Sequence, residues 1–113
     1  MTTKEAQPRH PLQPHDISRF IAAVNAAAMS RLDSLLHQWL PGGRREGREY
    51  VALNPTRADR SPGSFKINIA RGVWADFATD DAGSDPVSLY AYLNGIGQLA
   101  AAKRLARELG VRP

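Results

Sequence analysis

The sequence predicts a small α+β domain: a long N-terminal helix, an antiparallel three-stranded sheet and two C-terminal helices. Three observations carry this reading. Apolar residues recur every three or four positions from Asp16 to Leu40, alternate with polar ones from Ser64 to Phe77, and return to helical spacing after Asp85-Pro86. A chain of 113 residues suits one domain, placed at residues 16–113. Residues 1–15 contain Pro8, Pro11 and Pro14 and few large apolar groups, so they are expected to form a flexible lead.

The first helix is read from Ile17, Phe20, Ile21, Val24, Ala28, Leu32, Leu35, Leu36 and Trp39. Asp16 is its expected N-cap and Pro41-Gly42-Gly43 its stop, giving a length of about 36 Å. The stripe is weakest at Met29-Ser30, where a break is expected. Arg44 to Arg48 is polar, and Glu49 to Leu53 reads as a short strand. Asn54 to Gly63 is a loop. Phe65, Ile67 and Ile69 then alternate, as do Val73, Ala75 and Phe77. A three-residue Ala70-Arg71-Gly72 loop would pair Phe65 with Phe77 and put both trios on one face, leaving Lys66, Asn68, Trp74 and Asp76 on the other. Ala78 to Asp85 is an acidic loop. Asp85 as N-cap and Pro86 as the first helical residue open a helix broken at Asn94-Gly95. Gln98 to Leu109 forms the last helix, closed by Gly110.

Composition narrows the function. Cysteine is absent, which excludes disulfides, thiolate metal sites and a cysteine nucleophile together. No apolar run is long enough to span a membrane, and no signal peptide opens the chain, so a cytoplasmic protein without membrane partners is expected. Charge is segregated. Residues 41–71 carry Arg44, Arg45, Arg48, Arg57, Arg60, Lys66 and Arg71 against three acids, whereas residues 72–90 carry four aspartates and no base. Six of these seven cations are arginines, the side chain suited to bidentate phosphate contact. That block, with Trp74 as a base-stacking aromatic, is the candidate nucleic-acid site, although Trp74 reads equally well as a core residue packed under a helix. Asp76, Asp80, Asp81 and Asp85 lack the spacing of a calcium loop and are read as a solvated segment. His10, His15 and His37 have no partner at ligand spacing. No nucleophile elbow, triad motif or phosphate loop is present, so the chain is not expected to be an enzyme by itself, and no cofactor or metal is assigned.

Two stretches carry a family resemblance: Asn54-Pro-Thr-Arg-Ala-Asp-Arg-Ser-Pro-Gly-Ser-Phe65 and Trp74-Ala-Asp-Phe-Ala-Thr-Asp-Asp-Ala-Gly83. Over about residues 49–110 the chain resembles the zinc-ribbon module at the N-terminus of bacterial, phage and plasmid DNA primases. Pro55, Asp59, Pro62, Ser64, Phe65, Phe77 and Gly83 match that pattern, with Gly63 inserted. The four ligand positions fall on Asn54, Arg57, Asp76 and Thr79, so the variant lacks every zinc ligand. The resemblance implies a zinc-free, zinc-ribbon-like sheet and a single-stranded DNA-binding module in replication of a plasmid, phage or other mobile element. A primase catalytic domain or a helicase would be its protein partner. The alternative reading is a docking or dimerisation module that has lost nucleic acid, with Leu32, Leu36, Trp39 and Leu40 as helix anchors. Without a metal, the long helix is expected to hold the sheet by covering Phe65, Ile67, Ile69, Val73 and Phe77.

Overall fold

The computed structural model describes residues 13–112, so the expected lead lies outside the described residues except for its last three positions. Those three already belong to the first helix, α1 (Pro14–Met29), or cap it. Gln13 is the N-cap and Asp16 the third residue of the helix, its side chain accepting from the Gln13 N–H at 3.3 Å. The helix therefore begins three residues before the expected start, because Pro14 fits the first turn, where its missing N–H costs nothing. It breaks at Ser30-Arg31, and α2 (Leu32–Trp39) follows.

The sheet has five strands rather than three: β1 (Arg44–Glu46), β2 (Glu49–Ala52), β3 (Phe65–Asn68), β4 (Trp74–Asp76) and β5 (Asp81–Gly83), an antiparallel meander in chain order. The two unforeseen strands are its edges. Their residues are exposed or half-buried, so no apolar alternation marks them.

The pairing of β3 with β4 also departs from expectation by one residue. Phe65 lies opposite Asp76 and Ile67 opposite Trp74. The connecting loop is four residues, 69–72, closed by the Gly72 N–H donating to the Asn68 carbonyl at 2.7 Å. The Asn68 side chain accepts from the N–H groups of Ala70 and Arg71, and Gly72 supplies the positive φ of 78°. A one-residue shift inverts a strand. Trp74 and Asp76 therefore face the core, while Phe77 points outward and is 69% exposed.

Helices α3 (Pro86–Asn94) and α4 (Gln98–Leu109) complete the fold. The caps are those expected: the Asp85 side chain accepts from the Ser88 N–H at 2.8 Å, and Gly95 and Gly110 take left-handed conformations. Two apolar cores result. Val24 and Ala28 of α1 pack with Val87, Tyr90, Ala101, Ala102, Leu105 and Ala106 of α3 and α4. Leu32 and Leu36 of α2, with Leu40, cover the inner sheet face at Tyr50, Ala52, Phe65, Ile67 and Trp74, where Leu89 joins them. Of the expected long helix, the sheet is held chiefly by α2, with Met29 of α1 at the margin. Phe65, Ile67 and Ile69 belong to the covered set as expected, whereas Tyr50, Ala52 and Trp74 stand in place of Val73 and Phe77. Leu32, Leu36 and Leu40 are buried and Trp39 half-buried, so the anchors expected for an external partner are spent inside the molecule.

Candidate nucleic-acid interface

The four positions matched to zinc ligands converge on one polar network at the end of the sheet. Asn54 ends the strand-to-loop transition after β2, Arg57 lies in the loop that follows, Asp76 ends β4 and Thr79 lies in the β4–β5 turn. Asp76 is fully buried and receives four hydrogen bonds. Its Oδ2 accepts from Asn54 Nδ2 at 2.8 Å and Arg57 Nε at 2.8 Å; its Oδ1 accepts from Arg57 Nη2 at 3.3 Å and the Ala78 N–H at 2.9 Å. Arg57 Nη2 also donates to Ser64 Oγ at 2.9 Å and lies 3.4 Å from Asp59. Asn54 Nδ2 reaches Tyr92 Oη at 2.8 Å, Tyr92 donates to Asp81 at 2.8 Å, and Thr79 Oγ1 donates to the same carboxylate at 2.9 Å.

The Arg57 guanidinium, followed by the Asn54 amide and the Ala78 N–H, holds the Asp76 carboxyl well below the usual carboxylate range, against the opposing effect of burial. Arg57 is correspondingly raised by Asp76.

These groups do not fit zinc. An amide, a guanidinium, one carboxylate and a hydroxyl are not the thiolate and imidazole donors of a closed tetrahedral site. The carboxylate is already committed to a cation belonging to the chain. Among the described residues no group of three or more His, Cys, Asp or Glu side chains is placed to hold a metal.

The eight side chains expected to bind nucleic acid do not form one patch. Trp74 is 5% exposed; its indole N–H donates to Ser88 Oγ at 3.0 Å and its ring packs on Phe65 and Tyr92. It is a core residue and presents no face to a base. Tyr50 is likewise buried, its hydroxyl donating to the Leu40 carbonyl at 2.7 Å. Arg57 is turned inward to Asp76.

The outer sheet face keeps part of the set. The cross-strand row Arg44–Val51–Lys66–Ala75–Ala82 places Arg44 and Lys66 there. Each has an acidic neighbour, Arg44 with Glu46 at 2.7 Å and Lys66 with Glu49 at 3.9 Å. Arg48 and Arg71 lie at one end of the sheet, where the Ile69 N–H donates to the Arg48 carbonyl at 2.7 Å. Arg60 lies in the loop at the opposite end, and Arg45, on the edge strand, donates to the Gly47 carbonyl. Arg45, Arg48, Arg60 and Arg71 make no ion pair among the described residues.

The aromatic that sequence reasoning missed is Phe77. It borders a shallow depression of about 120 Å³ formed with Glu49, Lys66, Val73, Trp74 and Ala75 on this face. The signal was present as the terminal aromatic of the alternating run, but the register assigned it to the core.

Comparison with solved structures finds this architecture in a primase chain from Aquifex aeolicus, solved with its zinc-binding and RNA polymerase domains. The match has a TM-score of 0.66 at 19% identity and covers 83% of this chain and 22% of that one. At that identity the likeness is one of fold. This chain spans about a fifth of the length of the primase chain it matches. No family model matches it, and no curated protein does.

Proposed function

We propose that the chain is a single-stranded DNA-binding module of primase type, non-catalytic by itself, serving replication of a plasmid, phage or other mobile element. The single observation that carries the reading is the fold shared with a primase chain that includes a zinc-binding domain. The outer sheet face supplies the chemistry. Phe77 offers an exposed ring on which a base stacks, next to Lys66, and Arg44 lies farther along the same face on β1. Arg48 and Arg71 at one end and Arg60 at the other flank that face as phosphate contacts. The acid partners of Arg44 and Lys66 are exposed pairs of little intrinsic worth, and a phosphate can displace them. In this reading a primase catalytic domain or a helicase is the protein partner.

The reading is tested by titrating the isotopically labelled protein with a dT15 oligonucleotide and following backbone amide signals. Perturbations are expected at Arg44, Lys66, Ala75 and Phe77 and in the 47–48 and 69–72 turns. Perturbations confined to α1 and α4, or none at millimolar oligonucleotide, would overturn it.

A further inference from the structure

We infer that the Arg57 guanidinium serves as the resident cation of a metal-free knuckle, tying the 54–64 loop to the end of β4 as a bound metal would. The inference is independent of whether the outer face binds DNA. It rests on connectivity. A structural metal in a small ribbon cross-links two loops that the apolar core does not hold. Here the same four positions, Asn54, Arg57, Asp76 and Thr79, lie in one hydrogen-bonded chain running through Tyr92 and Asp81.

The charge balance is also met. The Asp76 side chain is fully buried and Arg57 is 28% exposed, so a carboxylate that would otherwise be isolated meets a planar cation in two-point contact. Asp59 adds a second acid beside the guanidinium while accepting the Asn54 N–H at 2.9 Å, which closes the loop on itself. A chain without cysteine that is held this way offers thiol oxidants nothing to attack.

The test restores the ligands. A quadruple variant, Asn54→Cys, Arg57→His, Asp76→Cys and Thr79→Cys, is expected to bind Co²⁺ with the intense visible absorption of a tetrahedral thiolate site. Its melting temperature should then become metal-dependent. The wild type should show neither the absorption nor any change in melting temperature with EDTA. Arg57→Met, which strands the buried carboxylate, should lower the melting temperature by about 15 °C or more. A wild type that melts earlier in EDTA, an Arg57→Met variant that melts normally, or a quadruple variant blind to Co²⁺ would each overturn the inference.

A separate observation carries a second proposal. Phe20 of α1, Ala106 of α4 and Val111 just beyond it floor an apolar groove of about 230 Å³ whose remaining lining is Lys103 and Arg107. Neither cation makes an ion pair among the described residues, and Arg104 and Arg112 add to the positive charge of this end of the chain. The volume is below the range of about 300–1,000 Å³ usual for small-molecule sites and suits one large side chain.

The geometry points to an acidic peptide segment of a partner protein, inserting one bulky apolar side chain between the two cations. A phosphate backbone would use the charges but gain nothing from the apolar floor. The probe is a labelled twelve-residue Asp/Glu peptide with a single central Phe, compared with its Ala counterpart. Saturable binding with a Kd of about 10–100 μM is expected, at least tenfold weaker for the Ala peptide and for a Lys103→Glu, Arg107→Glu double variant that keeps the wild-type circular dichroism. Three results would overturn the proposal. One is no saturation at about 1 mM. Another is equal binding of the two peptides. The third is a double variant whose only defects are in DNA affinity or in self-association.

Discussion

Trp74 and Phe77 exchange the roles that their surroundings in the sequence suggest. Trp74, at 5% exposure under α3, should behave as a core residue: Trp74→Ala is expected to cost about 3–5 kcal/mol in chemical denaturation. Phe77→Ala should change stability by no more than about 0.5 kcal/mol, yet weaken single-stranded DNA binding by about 1–3 kcal/mol in anisotropy titrations.

Asp76 gives a pH prediction whose sign follows from its lowered folded-state pKa. Its ionised form contributes stability above the unfolded value of about 3.9, and that contribution is lost as pH falls below it. The difference in melting temperature between wild type and Asp76→Asn should therefore be constant from pH 8 to 5 and shrink below about pH 4. A difference that grew on acidification would reverse the assignment. Asp76 was hidden from sequence reading because its partner, Arg57, is nineteen residues away in an irregular loop. Alternation rules send an aspartate outward unless such a partner is known.

At the scale of elements, helix boundaries were legible where local chemistry sets them. Asp85-Pro86, Gly95 and Gly110 act where they were read, because caps and left-handed turns depend on neighbouring backbone alone. Asp85→Ala is accordingly expected to cost about 1 kcal/mol, measurable as a shift in the denaturation midpoint. Strand register was not legible. Matching apolar trios favoured a three-residue loop, whereas Asn68 folds its side chain over a four-residue one and inverts β4. Gly72→Ala should test that loop. It strains a φ of 78° and brings a Cβ within 2.7 Å of Met29 Sδ, so destabilisation by about 1 kcal/mol or more is expected in thermal melts. The edge strands escaped because sheet edges carry no apolar face to reveal them.

The described residues form two cores joined through the N-terminal helices: α1, with Leu35 of α2, packs with α3 and α4, and the rest of the α2 face packs with the sheet. A fragment beginning at Gly43 loses one wall of each core and should show no cooperative melt, whereas a metal-supported ribbon would tolerate the loss. The α+β class and a helix-covered sheet were readable from residue pattern, whereas the convergence of Asn54, Arg57 and Asp76 was not. The placement of the cations was not, because it depends on register and on which arginine is turned inward.

Whether this fold, without zinc ligands at the four matched positions, binds single strands is decided by fluorescence anisotropy of labelled dT30 and duplex DNA across a salt series. Preferential single-strand binding that falls steeply with salt is expected, with a shallower slope when Arg48, Lys66 and Arg71 are neutralised and intact stability in Phe77→Ala. Absence of binding to either DNA at about 20 mM salt, or duplex preference unaffected by those substitutions, would contradict it.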